Sequence, residues 1–532
     1  MSNFNELESA LRRGQISRRD FLAHAAALGI TAGLATSLLG GTALAATPKK
    51  GGHLVVGRGH GSTTDTLDPG LSENDFMQTI QMSVRDHLTE ISNTGKLVGE
   101  LAESWEATPG AVTWRFTLRK GVTFHNGKTL DANDVIASMN HHRSDGSKSG
   151  GKALVKQIKE IKAEGANVVA FTLENGNADF PYVLADFHLP IMPANADGSV
   201  DWQSGTGTGS YILDGFDPGV RATFKRNPNN YMTDRAHLDT VEMLVITDVT
   251  ARTSAMVTGE IDVMDRVDLK TINHLKRKAG IKVEETASTA HFSIPMRTDM
   301  APFDDNNVRM ALKHSIDREA MLRTILRGHG TIGNDHPISP VNRYYAKELP
   351  QRPYDPDKGK FYLKKAGLDS LTVKLSAADA AFAGALDAAI LYKEHAAPSG
   401  INIEVVREPN DGYWSNVWMK KAWGMCYWAG RSTEDLMFTT AYAADAAWND
   451  TFWKHDKFNV LLKEARAELD DAKRRTMYVE MQQIVSDEGG QVIPLFNNYV
   501  FAMADKVKHV PEMAGNRELD GGRFMERWWI EE

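Results

Sequence analysis

Residues 101–135, LAESWEATPGAVTWRFTLRKGVTFHNGKTLDANDV, contain the pattern that decides the fold. Within this stretch, Thr113–Arg119 alternates apolar and polar side chains as a half-buried strand does, and Lys120-Gly121 supplies a turn before Val122–Phe124 continues. Asp131 then precedes an amphipathic segment, where its carboxylate can cap the first turn of a helix. The stretch therefore predicts a hairpin-like β unit followed by a helix.

Strand and helix patterns extend from this stretch in both directions. Before residue 298, strands are predicted over His53–Gly57, Val168–Leu173, Ala222–Lys225 and Val241–Ile246, and a helix over Phe76–Met82. Helices then dominate, at Val308–Arg327, Lys358–Ala366, Phe382–Ala397 and Phe458–Ser486. Strands return at Leu371–Leu375, Ile401–Val406 and Val492–Phe496. This mixture predicts an α/β protein with a second α/β lobe.

Further blocks follow the opening stretch in order: Gly207–Tyr211 (GTGSY), Arg226–Tyr231 (RNPNNY), Gly259–Val263 (GEIDV), Pro302–Asp305 (PFDD), Val308–Leu312 (VRMAL) and Ser315–Glu319 (SIDRE). Together with residues 101–135, the series resembles the signature blocks of the dipeptide-, oligopeptide- and nickel-binding proteins of ABC importers, the family 5 type. The resemblance spans nearly the whole chain after the N-terminal segment.

The resemblance implies a two-lobed periplasmic-binding-protein fold of type II, similar to cluster C, with a hinge and an interdomain cleft. We expect lobe 1 over residues 46–297 with an extra subdomain at about 82–200, lobe 2 over 298–497, and a C-terminal return to lobe 1 over 498–532. The implied function is capture of a small-molecule or short-peptide solute for an ABC permease and ATPase. Such a role needs no catalytic group, metal or cofactor, and we expect a monomer.

The N-terminal residues have the order of an export signal. Ser17-Arg18-Arg19-Asp20-Phe21-Leu22 resembles the twin-arginine motif, an apolar run covers Ala25–Leu39, and Ala43 and Ala45 fit a signal-peptidase site. A membrane anchor is the alternative, but a spanning helix needs about 20 apolar residues and this run is shorter. We expect a signal peptide over residues 1–45, the twin-arginine translocase as a partner during export, and a periplasmic location.

Composition is compatible with this location. The single cysteine, Cys426, cannot form an internal disulfide, so stability must come from core burial in a chain of 532 residues. The formal net charge of −8 argues against nucleic acid as a partner.

The stretch Tyr427-Trp428-Ala429-Gly430 resembles the strand end that lines the family's pocket, which makes Trp428 and Gly430 candidate ligand contacts. In peptide-binding members an aspartate follows and pairs with the ligand's ammonium group, whereas this chain has Arg431. A guanidinium cannot hold an ammonium, but its planar fork suits a carboxylate or phosphate. The alternative is that Arg431 forms an ion pair with Glu434 or Asp435 and braces the loop.

Further candidate ligand contacts lie elsewhere in the sequence. Asp379 and Phe382 lie near the position where dipeptide binders carry an arginine for the ligand carboxylate, and Asn74 and Asp75 lie in a loop that family members present to the solute. Six of the eleven tryptophans fall between residues 414 and 453; most of them are expected in a core, and Trp448 is placed near the cleft.

Two rival functions remain open at this point. An exported enzyme would need chemistry that the sequence does not display, because C-x-x-C, H-E-x-x-H, G-x-S-x-G and P-loop motifs are absent. A binder of nickel, another metal chelate or a haem precursor on the same fold is compatible with the seventeen histidines. The adjacent His141 and His142 cannot both face one metal from a helix, and we expect them at the surface.

Overall fold

The computed structural model describes residues 48–144 and 146–531, and the predicted signal peptide lies outside them. In this part of the chain the strands are β1 (His53–Arg58), β2 (Thr89–Ile91), β3 (Leu97–Gly99), β4 (Ala102–Ala107), β5 (Thr113–Leu118), β6 (Ile158–Ala163), β7 (Val168–Leu173), β8 (Tyr211–Asp217), β9 (Arg221–Arg226), β10 (Thr240–Val245), β11 (Val263–Met264), β12 (Ile281–Pro295), β13 (Gly330–Ile332), β14 (Leu371–Ala377), β15 (Ile401–Arg407), β16 (Cys426–Trp428), β17 (Gln491–Ala504), β18 (Val507–Lys508) and β19 (Trp529–Ile530).

The α-helices of the same part of the chain are Asp75–Val84, Ala132–Arg143, Lys152–Val155, Phe180–Val183, Val249–Thr258, Ile272–Leu275, Asn306–His314, Arg318–Thr324, Pro356–Lys365, Ala385–Ala396, Tyr413–Asn416, Glu434–Ala441, Asp456–Ala467, Asp471–Glu488 and Phe524–Arg527. Glu518–Gly521 forms a short turn in which Leu519 and Asp520 have left-handed backbone angles. Short 3-10 helices cover Pro69–Leu71 and Ala397–Ser399. None of the helices in the described ranges is both long and apolar enough to span a bilayer.

The largest sheet is built around two long antiparallel strands, β12 and β17. Its order is β16-β12-β17-β11-β1-β10-β9-β8, and β13 also pairs with β17. The β12–β17 register runs from Ile281 opposite Ala504 to Ala287 opposite Asn498, and it resumes with His291 opposite Phe496. The interruption at residues 288–290 therefore separates a half that carries β1 and β8–β11 from a half that carries β13 and β16.

Each half of this sheet packs against its own core. In the first half, the parallel pair β1–β10 buries the apolar side chains of Leu54, Val56 and Met243 against Phe501. In the second half, the helix Ala385–Ala396 connects the parallel strands β14 and β15 as a βαβ unit, which requires a crossover helix. This unit has the alternating βα order that the sequence predicts for the second lobe.

The opening stretch of the sequence forms part of a separate four-stranded antiparallel sheet, β4-β5-β7-β6. Strand β5 buries Trp114, Phe116 and Leu118 on one face, as its alternating pattern predicts. Asp131 caps the helix that begins at Ala132, in a reciprocal capping box with Asp134. The sequence-based prediction is confirmed here, except that Val122–Phe124 forms one isolated bridge instead of a strand.

Two helices that the periodicity predicts as continuous are each broken. Within the predicted span 308–327, Asp317 accepts a hydrogen bond from the Ala320 amide and starts a second helix. Within 458–486, Asp470 does the same with the Lys473 amide. An aspartate side chain competes for backbone N–H groups and favours an N-cap over a helix interior, while the apolar period continues through the break.

Phe116 lies at the centre of the small sheet's core, where its ring contacts those of Trp105, Trp114, Phe171 and Phe180. We expect Phe116→Ala to lower the free energy of unfolding by about 3–5 kcal/mol, because it removes a fully buried ring and leaves a cavity. Urea denaturation followed by fluorescence measures the change. The control is Phe361→Ala, at a side chain that is 59% exposed. Equal effects of the two substitutions would contradict this packing.

Candidate functional site

Two adjoining chambers lie where the crossing strands meet the loops of both halves. The main chamber, about 540 Å³, is lined from one half by residues 73–75 and 265–267 and from the other by Ile325, Leu326, His329, Tyr427, Ala429 and Gly430. The side chamber, about 510 Å³, is lined by residues 93–96, 341–343, 431–434, 512–513 and 515–516. The chambers meet at Asn516 and at the consecutive residues Gly430 and Arg431. This arrangement is a cleft with two compartments.

One wall of the main chamber is apolar. Phe292, Ile325, Leu326 and Tyr427 line it. Phe382, a candidate from the sequence, does not line the chamber, but its ring stacks on Phe292 with centroids 3.8 Å apart and planes 5° from parallel. Phe382 therefore supports the wall from behind.

The opposite wall of the main chamber is ionic. Arg266 lies 2.6 Å from an oxygen of Asp75 and 2.9 Å from one of Glu518. Burial favours the neutral form of Asp75, but Arg266 and Arg58 outweigh it and lower the pKa of this carboxyl. Burial and the neighbouring charge of Asp75 raise the pKa of Glu518 to about 8. The charges of this wall are thus largely committed to one another.

Asn74, the other candidate in the same loop, lines the main chamber with its amide already engaged. Its Oδ1 accepts from the Met77 amide at 3.1 Å as the N-cap of the helix Asp75–Val84, and its Nδ2 donates to Asp65 at 2.7 Å. Asn74 therefore fixes the loop that presents Asp75 to the chamber.

Trp428 and Trp448 lie outside both sets of lining residues. Side chains alternate along β16, so Tyr427 faces the main chamber while Trp428 is buried on the other side. The indoles of Trp418 and Trp428 both donate to Asp450 Oδ2, at 3.2 and 3.3 Å. Trp448 is half exposed and packs on Trp428 with ring centroids 6.1 Å apart. These tryptophans support the strand that carries Tyr427.

Asp379 also lies outside both sets of lining residues. Its Oδ1 accepts a hydrogen bond of 3.3 Å from the Leu386 amide, in the first turn of the helix Ala385–Ala396. The structure thus gives this carboxylate a helix-capping contact.

Gly430 and Arg431 form the junction of the two chambers. A Cβ at position 430 would lie 1.7 Å from Thr289 Oγ1, so glycine is required for this close approach to β12. Arg431 then lines the side chamber, and its Nη1 donates to the carbonyl oxygens of Ala429 and Gly430 at 2.9 and 3.2 Å. Burial lowers the pKa of Arg431, and the positive charge of Arg517 adds to this effect.

The alternative ion pair of Arg431 with Glu434 or Asp435 is not formed. Glu434 accepts a hydrogen bond from the Tyr344 amide at 2.6 Å, and Asp435 pairs with Arg466 at 3.0 Å. Among the described residues, Arg431 instead donates hydrogen bonds to the carbonyl oxygens of its own loop, which orient the guanidinium.

The C-terminal segment contributes residues that the sequence reasoning missed. Asn516, Arg517 and Glu518 line the chambers because the next four residues, 519–522, form a left-handed turn with φ between 49° and 80°. Asp520 holds this turn by accepting from the Ala514 amide at 2.8 Å and from Arg527 at 2.9 Å. The signal in the sequence is Asp520-Gly521-Gly522, since aspartate and glycine tolerate positive φ.

The metal-binding alternatives receive little support from geometry. His142, expected at the surface, is fully buried with Nδ1 2.7 Å from Ser149 Oγ, and burial lowers its pKa to about 3. The carboxylates of Asp86, Glu100 and Glu526 converge, but an Arg523 nitrogen lies 2.6 Å from Glu100 and 3.1 Å from Glu526. A guanidinium thus occupies the position that a cation would take.

Two α/β halves joined by crossing strands, with chambers between their loops, define a binding protein of the two-lobed class. Residues 96–451 match the family described as bacterial extracellular solute-binding proteins, family 5 Middle. The chain belongs to this family.

Similarity to known proteins extends over almost the whole chain. It is 24% identical to the di/tripeptide-binding protein 1 of Pseudomonas aeruginosa (strain UCBPP-PA14), over 90% of this chain and 95% of that protein. It resembles the solved structure of DppA from Helicobacter pylori with the peptide STSA (TM-score 0.73, 23% identity, 91% and 99% coverage). It also resembles AgaA of A. tumefaciens R10 with agropinic acid (TM-score 0.72, 23% identity, 90% and 99% coverage).

The two-lobed α/β fold and the solute-binding role predicted from the sequence are confirmed. The protein is an extracellular solute-binding protein of family 5.

We expect Gly430→Ala to destabilise the protein by about 1–3 kcal/mol, because the added methyl group overlaps Thr289 and displaces the loop. Adding Thr289→Ala removes the nearest clashing atom and should restore part of the loss. Gly146→Ala is the control, since a Cβ at Gly146 meets no heavy atom within 4 Å. Chemical denaturation compares the four proteins. Unchanged stability of Gly430→Ala would show that the close approach is not required.

Burial raises the pKa of Glu434 to about 7. The folded state then keeps this proton at pH values where the unfolded chain has lost it, so Glu434 reduces stability as pH rises from about 4.5 to 7. Glu434→Gln keeps an acceptor for the Tyr344 amide and cannot ionise. We expect it to be more stable than the wild type by about 1–3 kcal/mol near pH 8 and equally stable near pH 4.5.

Denaturation of both proteins across this pH range measures the difference. The control is Glu404→Gln at an exposed position of β15, whose effect should not vary with pH. A stability difference for Glu434→Gln that stays constant with pH would exclude a buried neutral Glu434.

Proposed function

We propose that this chain captures a peptide-like or other small polar solute in the main and side chambers and delivers it to the permease and ATPase subunits of its importer. The observation that carries the proposal is the position of the chambers. Loops from both halves line them, so a bound solute would contact both lobes and favour their closure. The name of the Pseudomonas relative and the peptide in the Helicobacter structure support a solute of this size.

We further propose that the lobes move about the interruption of the β12–β17 ladder at residues 288–290, with lobe 1 over 46–297, lobe 2 over 298–497 and the C-terminal return over 498–532. Asn74, Asp75, Gly430 and Arg431 are the proposed solute contacts among the candidates from the sequence. Transport energy would come from the ATPase, so the chain itself performs no catalysis.

The proposed location is the periplasm, reached as a monomer through the twin-arginine translocase. The motif around Arg18 and Arg19 supports this route. A folded chain with the single, buried Cys426 would not depend on disulfide formation after export.

The cleft can be blocked without disturbing a core, because Ala383 is exposed and lines the main chamber. The wild-type protein, screened by thermal shift against dipeptides, tripeptides and amino-acid derivatives, should gain thermal stability from its solute. Ala383→Trp fills the chamber with an indole, and we expect it to abolish this gain.

The matched control is Ala163→Trp, at an exposed position of β6 in the small sheet, which should respond to solute like the wild type. If Ala383→Trp retains full solute-dependent stabilisation, the solute does not bind in the main chamber and the proposed function of this cleft is wrong.

A further inference from the structure

The side chamber has more unpaired positive than unpaired negative side chains. Its lining contains three cationic residues, Lys96, Arg343 and Arg431, and three acidic residues, Asp179, Glu434 and Glu512. The interactions of each group decide how much charge remains available to a solute.

Most of the acidic groups are already engaged. Asp179 pairs with the buried Arg474 at 2.8 Å, and the buried Glu434 accepts from the Tyr344 amide. Of the cationic groups, Arg343 pairs with Asp471. Among the described residues, Lys96, Arg431 and Glu512 make no ion pair within 4 Å. Two uncommitted cations against one carboxylate leave a net charge of about +1, which matches a monoanion.

The guanidinium of Arg431 is oriented to receive such a group. Its Nη1 is held by the carbonyl oxygens of Ala429 and Gly430, which leaves the edge formed by Nε and Nη2 for a solute. Two parallel N–H donors on one edge of a guanidinium match the two oxygens of a carboxylate. The loop therefore pre-orients a carboxylate-binding edge at the junction of the chambers.

The main chamber offers a different environment beside this junction. On its ionic wall, Arg266, Asp75 and Glu518 are engaged with one another. The facing wall presents Phe292, Ile325 and Tyr427, so it favours an apolar part of a solute. The cleft can thus accommodate a solute with an apolar body in the main chamber, lined by Gly430, and an anionic end in the side chamber, lined by Arg431.

We propose that the solute is an amphipathic carboxylic acid whose apolar body lies in the main chamber against Phe292 and Tyr427 and whose carboxylate binds Arg431 and Lys96 in the side chamber. This inference rests on the proposed function and narrows it. The proposed solute needs no free ammonium group, because the position beside the strand end already carries the positive charge of Arg431.

A matched series of dipeptide derivatives separates charge from shape. The probes are N-acetyl-Leu-Phe, which is anionic; its neutral amide, N-acetyl-Leu-Phe-NH₂; and the cationic Leu-Phe-NH₂. Calorimetry with the mature protein should show binding of N-acetyl-Leu-Phe and at least tenfold weaker binding of the two amides. Arg431→Gln should weaken binding of the acid about ten- to a hundredfold, since a hydrogen-bonded charge is lost, and Arg431→Lys should recover part of it.

Arg323→Gln is the control for the loss of one positive charge, because Arg323 is 66% exposed on a helix of the same half. The proposal is overturned if N-acetyl-Leu-Phe does not bind, if either amide binds as tightly, or if Arg431→Gln leaves its affinity unchanged. Native mass spectrometry of the protein isolated from cells separates this result from failure of the proposed function. A co-purified neutral or cationic solute would leave capture in the cleft intact, whereas a protein that carries no solute and binds none of the probes would count against both.

Discussion

The antiparallel pairing of Ile281–Pro295 with Gln491–Ala504 carries the backbone across both halves of the molecule, and residues at its interruption line both chambers of the cleft. At the break, Ser288 Oγ donates to the Asn497 carbonyl at 2.6 Å, and Ser339 Oγ donates to the Ser288 carbonyl at 2.8 Å. Side-chain hydroxyls thus replace ladder hydrogen bonds that the bulge removes. The hydroxyl and carbonyl of Ser288 have partners, while the break offers fewer inter-strand hydrogen bonds than the ladders on either side. This difference supports the proposal that the lobes move about residues 288–290.

A buried ionic cluster around Arg523 holds the C-terminal segment in place. Arg523 contacts Glu90, Glu100 and Glu526 at 3.3, 2.6 and 3.1 Å, and it joins the C-terminal segment to the strands that follow residue 86. A buried ion pair adds little net stability, but removal of one partner leaves a costly unpaired charge. The cluster therefore fixes where the C-terminal segment lies more than it stabilises the fold. That position, with the left-handed turn at 519–522, brings Arg517 and Glu518 to the chambers.

Local sequence patterns predicted individual helices and strands better than they predicted how distant segments come together. Strand alternation located Thr113–Leu118, and the Asp131 cap located the next helix, because both signals depend on neighbouring residues. The Asp317 and Asp470 breaks were missed since the apolar period runs through them. At the site, Gly430 and Arg431 were placed by the resemblance of residues 427–430 to the strand end that lines the family's pocket. Arg517 could not, because a left-handed turn near the C-terminus decides where it points.

The scaffold and the specificity of the cleft rest on different residues. Gly430 is set by its contact with Thr289, and Trp428 by a hydrogen bond to the buried Asp450, so these residues maintain the strand end whatever solute is bound. Arg431 contacts carbonyl oxygens of its own loop and carries no core packing. When a cleft closes, water leaves, and an uncompensated charge in the solute becomes costly. Under the proposed binding mode, the sign of the charge at residue 431 would therefore select among solutes without altering the fold that captures them.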